Sequence, residues 1–297
     1  LDSRLRAYTH YRDKENSMIQ PIYEYGGMGT VIHMALANGF PPETYKPLLD
    51  PLTARYHVVS LPPRALWPGI GAPPEQVGTW QELADDIVVG IRHYGLKDVV
   101  AIGHSFGGIA SMLAVLQAPE LFRGLCLLDP TILAPQMMDA VKELRKQGTP
   151  PRIPLVDGAL NRRSRFASRD EAFAYWRGKP LFQDWSDETL WLYTDSMTQP
   201  VDNGLQLTWP PAWEAYYYMA LYPHTWDDLP RLNGLLPVLV VRGEKTDTFA
   251  NDSAEKVRGL LPAATYTTIP GYGHLFPQAA PDATRHVIEK WLSAERL

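Results

Sequence analysis

The chain has 297 residues, 45% hydrophobic and 21% charged, with a formal net charge of −5. That balance is ordinary for a soluble globular protein, and its slight acidity leaves no electrostatic footprint for nucleic acid. No apolar stretch approaches the ~18 residues of a membrane span, and a single cysteine, Cys126, excludes an intramolecular disulfide.

Leu1 to Ser17 is polar and charged, without the apolar core of a signal peptide. Met18 directly precedes a strand-like run. The natural start is therefore expected at Met18, with residues 1–17 a cloning remnant or, alternatively, a flexible arm. An intracellular location is the default expectation. Ile19–Tyr25 and Thr30–Ala37 read as two strands around Gly26-Gly27, a hairpin-type turn. Tyr56–Leu61 is a further short apolar run. Trp80, Leu83, Ala84, Ile87, Val88, Ile91 and Tyr94 then recur at helical spacing until Gly95. Asp98–Ile102 predicts a strand covered on both faces, residues 106–117 a buried helix, and Leu125–Leu128 another buried strand holding Cys126 as a structural thiol.

After Asp129 the alternation stops. Residues 131–232 carry most of the tryptophans and predict a helical insertion. Strands resume at Pro237–Val241 and Thr265–Ile269, with helices at Asn251–Leu261 and Pro281–Leu292. The order predicts an α/β fold whose mostly parallel sheet is interrupted by the insertion. No internal repeat or low-complexity segment is visible.

Gly103-His104-Ser105-Phe106-Gly107 falls between a predicted buried strand and a predicted buried helix. A serine on so tight a turn projects its hydroxyl from the sheet edge. The residues two before and two after must be small, because strand and helix cross closely there, and Gly103 and Gly107 meet that demand. On this motif and its setting the chain resembles the α/β-hydrolase family from Met18 onward. The resemblance implies a core domain at 18–130 and 233–297 with a helical cap at 131–232. It makes Ser105 the nucleophile of the elbow.

A serine hydroxyl needs a base and an orienter behind it. In the family the order is serine, acid, histidine. Gly271-Tyr272-Gly273-His274 resembles the glycine-flanked histidine loop after the last strand, making His274 the general base. Arg242-Gly243-Glu244-Lys245-Thr246-Asp247 resembles the family's acid loop, with the aspartate one residue later than in many members. Asp247 is the expected acid. Asp129 is its rival, since some members supply the acid from the preceding strand. His104 is expected to point away from the site, and His33 to be a core histidine.

Two backbone N–H groups should face the oxyanion. The resemblance implies Phe106 as one and Phe40 as the other, within Asn38-Gly39-Phe40-Pro41, where the family usually has His-Gly. The aromatics of the insertion, Tyr216-Tyr217-Tyr218 among them, suit an apolar pocket or plain packing. Arg162, Arg163, Arg165 and Arg169 read as a solvated face rather than a site for an acidic substrate.

The expected function is a serine esterase acting through an acyl-enzyme, with short to medium acyl or aromatic esters as small-molecule substrates. Lactone, thioester or carbon–carbon bond hydrolysis, a lyase, and a non-enzymatic ligand receptor remain as alternatives. Dehalogenase or epoxide-hydrolase chemistry is disfavoured, because those relatives need an aspartate at the elbow. No metal spacing or phosphate loop is present, so no cofactor is implied.

Overall fold

The computed structural model of the chain describes residues 20–297, so the expectations for residues 1–17 and for a start at Met18 lie outside the described residues. Its strands are β1 (Tyr23–Gly26), β2 (Val31–Ala35), β3 (His57–Ser60), β4 (Val99–His104), β5 (Phe122–Leu128), β6 (Arg165–Phe166), β7 (Thr198–Val201), β8 (Gly204–Leu207), β9 (Val238–Gly243) and β10 (Thr265–Ile269). Seven of them form one sheet in the order β1-β3-β2-β4-β5-β9-β10. Only β1 runs antiparallel to its neighbour. The central strand β4 is buried along its whole length, as a continuous apolar run covered on both faces must be.

The first two predicted helices are present as α1 (Gln81–His93) and α2 (Phe106–Gln117), and helices at Asn251–Leu260 and Pro281–Ala294 match the two expected near the end of the chain. The buried stripe of α1, Leu83, Ala84, Ile87, Val88 and Ile91, is the one its spacing predicts. Gly95, at φ +63, then turns the chain where other residues are strained. Buried from Phe106 to Val115, α2 packs against α1 over the sheet.

Two expectations are corrected. The glycines at 26 and 27 do not close a hairpin, because β3 lies between β1 and β2. Gly27, at φ +82, passes so near the Tyr56 and Thr53 carbonyls that a Cβ would sit 2.0 and 2.4 Å from them. The turn is therefore packed against the entry to β3 and carries the chain past that strand. The stretch between β5 and β9 is also not purely helical. It contains α3 (Pro135–Lys146), α4 (Pro154–Leu160), α5 (Arg169–Arg177), α6 (Asp187–Met197) and α7 (Pro211–Met219). It also holds an antiparallel sheet in the order β6-β8-β7. The Asp202-Asn203 pair linking β7 to β8 has the composition of a two-residue hairpin loop, so a local signal existed. Ser168 and Ser186 cap α5 and α6, each accepting from the backbone N–H three residues on.

The core contains a group that makes stability depend on pH. His33, fully buried in β2, has no hydrogen-bond partner for either ring nitrogen among the described residues, and burial pushes its imidazole down to about 3. In the unfolded chain it titrates near ~6.5. Between these values the unfolded state holds a proton that the folded state lacks. Stability present above the unfolded value is therefore lost as pH falls, by up to ~1.4 kcal/mol per pH unit. His33→Leu is expected to flatten that slope, seen as a smaller drop in the urea midpoint between about pH 7 and about pH 5. An undiminished drop would show that His33 does not contribute to the acid sensitivity.

Candidate active site

The parallel register brings the carboxyl ends of five strands to one edge. Ala35 pairs with Gly103, Leu128 with Val241 and Ile269 with Gly243, so the loops after β2, β4, β5, β9 and β10 emerge side by side. In open α/β sheets this edge is where ligands bind. Ser105 sits at the β4–α2 junction with φ 59 and ψ −125. A non-glycine residue held there is strained by ~1–3 kcal/mol. The surroundings maintain it: Ser105 N–H donates to the Leu128 carbonyl at 3.1 Å, and the Ser105 carbonyl accepts from Gly108 N–H and Thr131 N–H.

His274 reaches Ser105 from the loop after β10. Its Nε2 lies 2.9 Å from Ser105 Oγ, and its Nδ1 lies 2.7 Å from Asp129 Oδ2. A carboxylate only accepts, so Nδ1 carries the hydrogen and Nε2 presents its lone pair to the serine hydroxyl. The carboxylate in this chain of contacts belongs to Asp129, which corrects the expectation for Asp247. Asp247 is exposed and, among the described residues, accepts only a long 3.4 Å bond from its neighbour Thr248. The acid loop instead contributes donors. Gly243 N–H gives 2.8 Å to Asp129 Oδ1, and Thr246 Oγ1 gives 2.5 Å to Oδ2. Asp129 is fully buried, yet three donors satisfy it, which is what a buried charge requires. Its φ of 42, a conformation aspartate tolerates better than most side chains, aims it along the sheet edge.

Phe106 N–H opens α2 and so has no intrahelical acceptor. Phe40 N–H, the other expected oxyanion donor, is engaged with the Ala37 carbonyl at 3.2 Å. Gly39 at φ +84 in the third position makes Ala37–Phe40 a type II turn, which this bond closes. One side chain escaped the sequence reading. Thr131 Oγ1 lies 3.1 Å from Ser105 Oγ, so the turn that carries Asp129 also touches the serine hydroxyl. Its only signal was position, two residues after the aspartate that follows β5.

Residues 34–287 match the alpha/beta hydrolase family. The chain belongs to that family. It is 24% identical over 252 residues to the 2-(acetamidomethylene)succinate hydrolase of Mesorhizobium japonicum, covering 84% of this chain and 83% of the relative. It is 22% identical over 223 residues to a putative esterase/lipase of Haemophilus influenzae, covering 72% and 67%. Among solved structures, an E-2-(acetamidomethylene)succinate hydrolase superposes with a TM-score of 0.73 at 20% identity over 96% of this chain and 99% of the other. At that identity the likeness speaks for the fold.

In this alpha/beta hydrolase a cavity of about 320 Å³ lies against the Asn38–Phe40 turn. Phe40, Trp176, Phe182 and Tyr193 wall it, with Arg162 and Lys179 also on its lining. The Phe40 ring packs on Trp185 and Tyr193, which ties the turn to α6 and its preceding loop. Arg162 is not part of a solvated face: its side chain is mostly buried, paired with Glu214 and bonded to the Tyr193 hydroxyl at 3.1 Å. Arg163 and Arg169 pair on the surface with Glu171 and Asp195. Of the three tyrosines, Tyr216 and Tyr217 are packing residues, their hydroxyls accepting from Gly78 N–H and Ala65 N–H. Tyr218 lines the cavity. Among the described residues, no cluster of His, Cys, Asp and Glu is arranged to hold a metal, and no helix is long and apolar enough to cross a membrane.

Proposed function

We propose that this chain is a serine hydrolase cleaving carboxylic esters through an acyl-enzyme, with Ser105 as nucleophile, His274 as general base and Asp129 as orienting acid. The observation carrying this reading is the unbroken run of contacts from Asp129 Oδ2 through the His274 ring to Ser105 Oγ, at 2.7 and 2.9 Å. Ser105 Oγ bonds to the substrate carbonyl carbon while its proton passes to His274 Nε2. Asp129 stabilises the resulting imidazolium without taking a proton itself. Collapse of the tetrahedral intermediate breaks the ester bond, and the imidazolium protonates the departing alcohol. Water then repeats the sequence on the acyl-enzyme and restores Ser105. Phe106 N–H faces the oxyanion, and Phe40 N–H joins it by sharing its long turn bond to Ala37. Residues 131–232 roof the site as a cap, and the aromatic cavity beside the oxyanion turn receives the acyl group.

The test is labelling with an organophosphonate followed by peptide mass mapping, beside kcat/KM for p-nitrophenyl esters from acetate to palmitate. The adduct is expected on Ser105. Each methylene that enters the cavity should raise kcat/KM by up to ~4-fold, from ~0.8 kcal/mol of burial, with a maximum at short to medium chains. An adduct on any other residue would sink the assignment. A maximum at palmitate, with strong activity on a triglyceride emulsion, would make the chain a lipase.

A second reading has support of its own. Lys179 lies on the Tyr175 ring without a carboxylate partner among the described residues and lines the cavity, where the other cation, Arg162, is already paired with Glu214. This favours an acyl portion bearing a carboxylate, and the Mesorhizobium relative is named for a succinate derivative. The p-nitrophenyl hemisuccinate should then outrun the butyrate, with Lys179→Gln narrowing the gap. Equal rates would remove this reading.

A further inference from the structure

His104 immediately precedes Ser105, is fully buried, and stands outside the contacts assigned above. Both of its ring nitrogens are nevertheless engaged. Nε2 lies 3.0 Å from the backbone carbonyl of His274, and Nδ1 lies 2.8 Å from the Tyr45 hydroxyl. That hydroxyl in turn lies 2.9 Å from Ala37 N–H.

The proton positions follow from one end of this series. A carbonyl oxygen only accepts, so His104 Nε2 must carry the hydrogen. A neutral imidazole has a single N–H, which leaves Nδ1 as an acceptor. Tyr45 therefore directs its one hydroxyl hydrogen to Nδ1, and its oxygen accepts Ala37 N–H. The bonds run in one direction, from Ala37 through Tyr45 and His104 to His274. A doubly protonated His104 would need Tyr45 to turn its hydrogen away from Nδ1, toward the buried Gln278 side chain beside the hydroxyl, and would place a charge in the core. Burial first, and then the neighbouring His274 ring with its centroid 5.1 Å away, push the His104 imidazole well below its ordinary value. It thus stays neutral beside a histidine that must become cationic during turnover.

The two ends of the series meet the two parts of the site that have to be in register. Ala37 opens the type II turn, since its carbonyl holds Phe40 N–H. His274 holds the imidazole, and its backbone sits in a loop bordered by Gly273 and Leu275, the latter buried. We infer that Tyr45 and His104 are positioning residues that fix the backbone of the general base relative to the oxyanion turn; this rests on the serine-hydrolase reading. Neither touches substrate. Each acts through a backbone group, and a misplacement of the base by a fraction of an ångström is enough to slow proton transfer.

The test has a wild-type arm and a variant arm. In the wild-type protein, 15N spectroscopy of the imidazoles should find His104 as the Nε2–H tautomer, without titration between about pH 5 and about pH 9. A His104 protonated on Nδ1, or titrating in that range, overturns the proposal. In the second arm, kcat is measured per organophosphonate-titrated site on the best p-nitrophenyl ester. Tyr45→Phe and His104→Leu should each lower kcat by ~10-fold while KM moves by less than about threefold. His104→Gln, which keeps a donor and an acceptor, should recover most of the loss. Lower thermal stability with unchanged kcat per site would make the pair ordinary packing and overturn the proposal. So would a glutamine variant as slow as the leucine one. If a variant does not fold, the tautomer measurement on the wild-type protein decides. The two failures are distinguishable: without Ser105-dependent turnover the hydrolase reading falls, whereas normal turnover with a Nδ1–H His104 fells only the inference.

Discussion

Asp129→Asn is expected to lower kcat by ~10⁴-fold, the scale seen for orienting aspartates in serine hydrolases, while Asp247→Asn stays within about twofold of the wild type. The reason is the number and direction of hydrogen bonds. Asp129 accepts from Gly243 N–H, from Thr246 Oγ1 and from His274 Nδ1. An asparagine has one accepting oxygen for these three donors, and its amide brings two hydrogens of its own. Placed with the amide toward the ring, it makes His274 Nδ1 the acceptor and puts the hydrogen on Nε2. Facing Ser105 Oγ would then be an N–H that cannot take the serine proton. The fold should survive, because the side chains are nearly the same size, Gly243 N–H keeps an accepting oxygen, and the Thr246 hydroxyl can rotate to accept from the amide. Circular dichroism and the thermal midpoint check that, and kcat/KM on the best p-nitrophenyl ester checks the rate, with Ser105→Ala as the floor. Asp247 is exposed and has no contact with His274, so its amide should change little. The reverse ranking would return the acid to the loop after β9, and equal losses would assign both residues a share.

The fold was legible in the sequence because the information is local: continuous apolar runs at β4 and β5, helical spacing in α1, and glycines flanking Ser105. The pairing of Ser105 with His274 could be read because one motif marks each, and the parallel sheet brings both loops to the same edge. The carboxylate that meets His274 was harder. Two aspartates follow adjacent strands, and Leu128 pairs with Val241, so both loops lie within reach of the histidine. Sequence spacing does not say which one turns inward. The outcome depends on backbone angles, with Asp129 at φ 42, and on Thr246 rather than Asp247 being the buried member of its loop. The glycine pair at 26 and 27 misled for a similar reason: a turn signal gives a change of direction, and the partner of β1 is set by Gly27 packing on residues 53 and 56. Arg162 looked like its basic neighbours until α7 supplied Glu214, a residue distant in sequence. In each of these cases the deciding partner lies in another segment of the chain.

Gly107→Ala is expected to be the most damaging small substitution in the elbow, costing about 3 kcal/mol or more of stability as overpacking against backbone. A Cβ there would sit 2.4 Å from the Leu36 carbonyl oxygen and 2.5 Å from that of Ala35. Those oxygens belong to the end of β2 and the start of the oxyanion loop, so a rotamer change cannot relieve the collision. Either α2 lifts from the sheet or the loop moves, and both carry Ser105 or Phe40 with them. Gly103→Ala should behave similarly, since its Cβ would meet the Gly107 carbonyl oxygen at 2.3 Å and Gly108 Cα at 2.7 Å. The contrast is Gly158, exposed in α4 with nothing within 4 Å of its Cβ position. Gly158→Ala should stabilise by up to ~1 kcal/mol, because alanine is the better helix former and restricts the unfolded chain. The measurement is urea denaturation of the three variants with kcat/KM taken on the folded fraction. Destabilisation of Gly107→Ala together with loss of rate per folded molecule is the result expected of a crossing that sets the serine's position. Destabilisation with full rate would mean that the strain is absorbed away from Ser105, in α2. A stable and fully active Gly107→Ala protein would mean that β2 and α2 can part by about an ångström without cost, and the glycine would then have no steric role in the elbow.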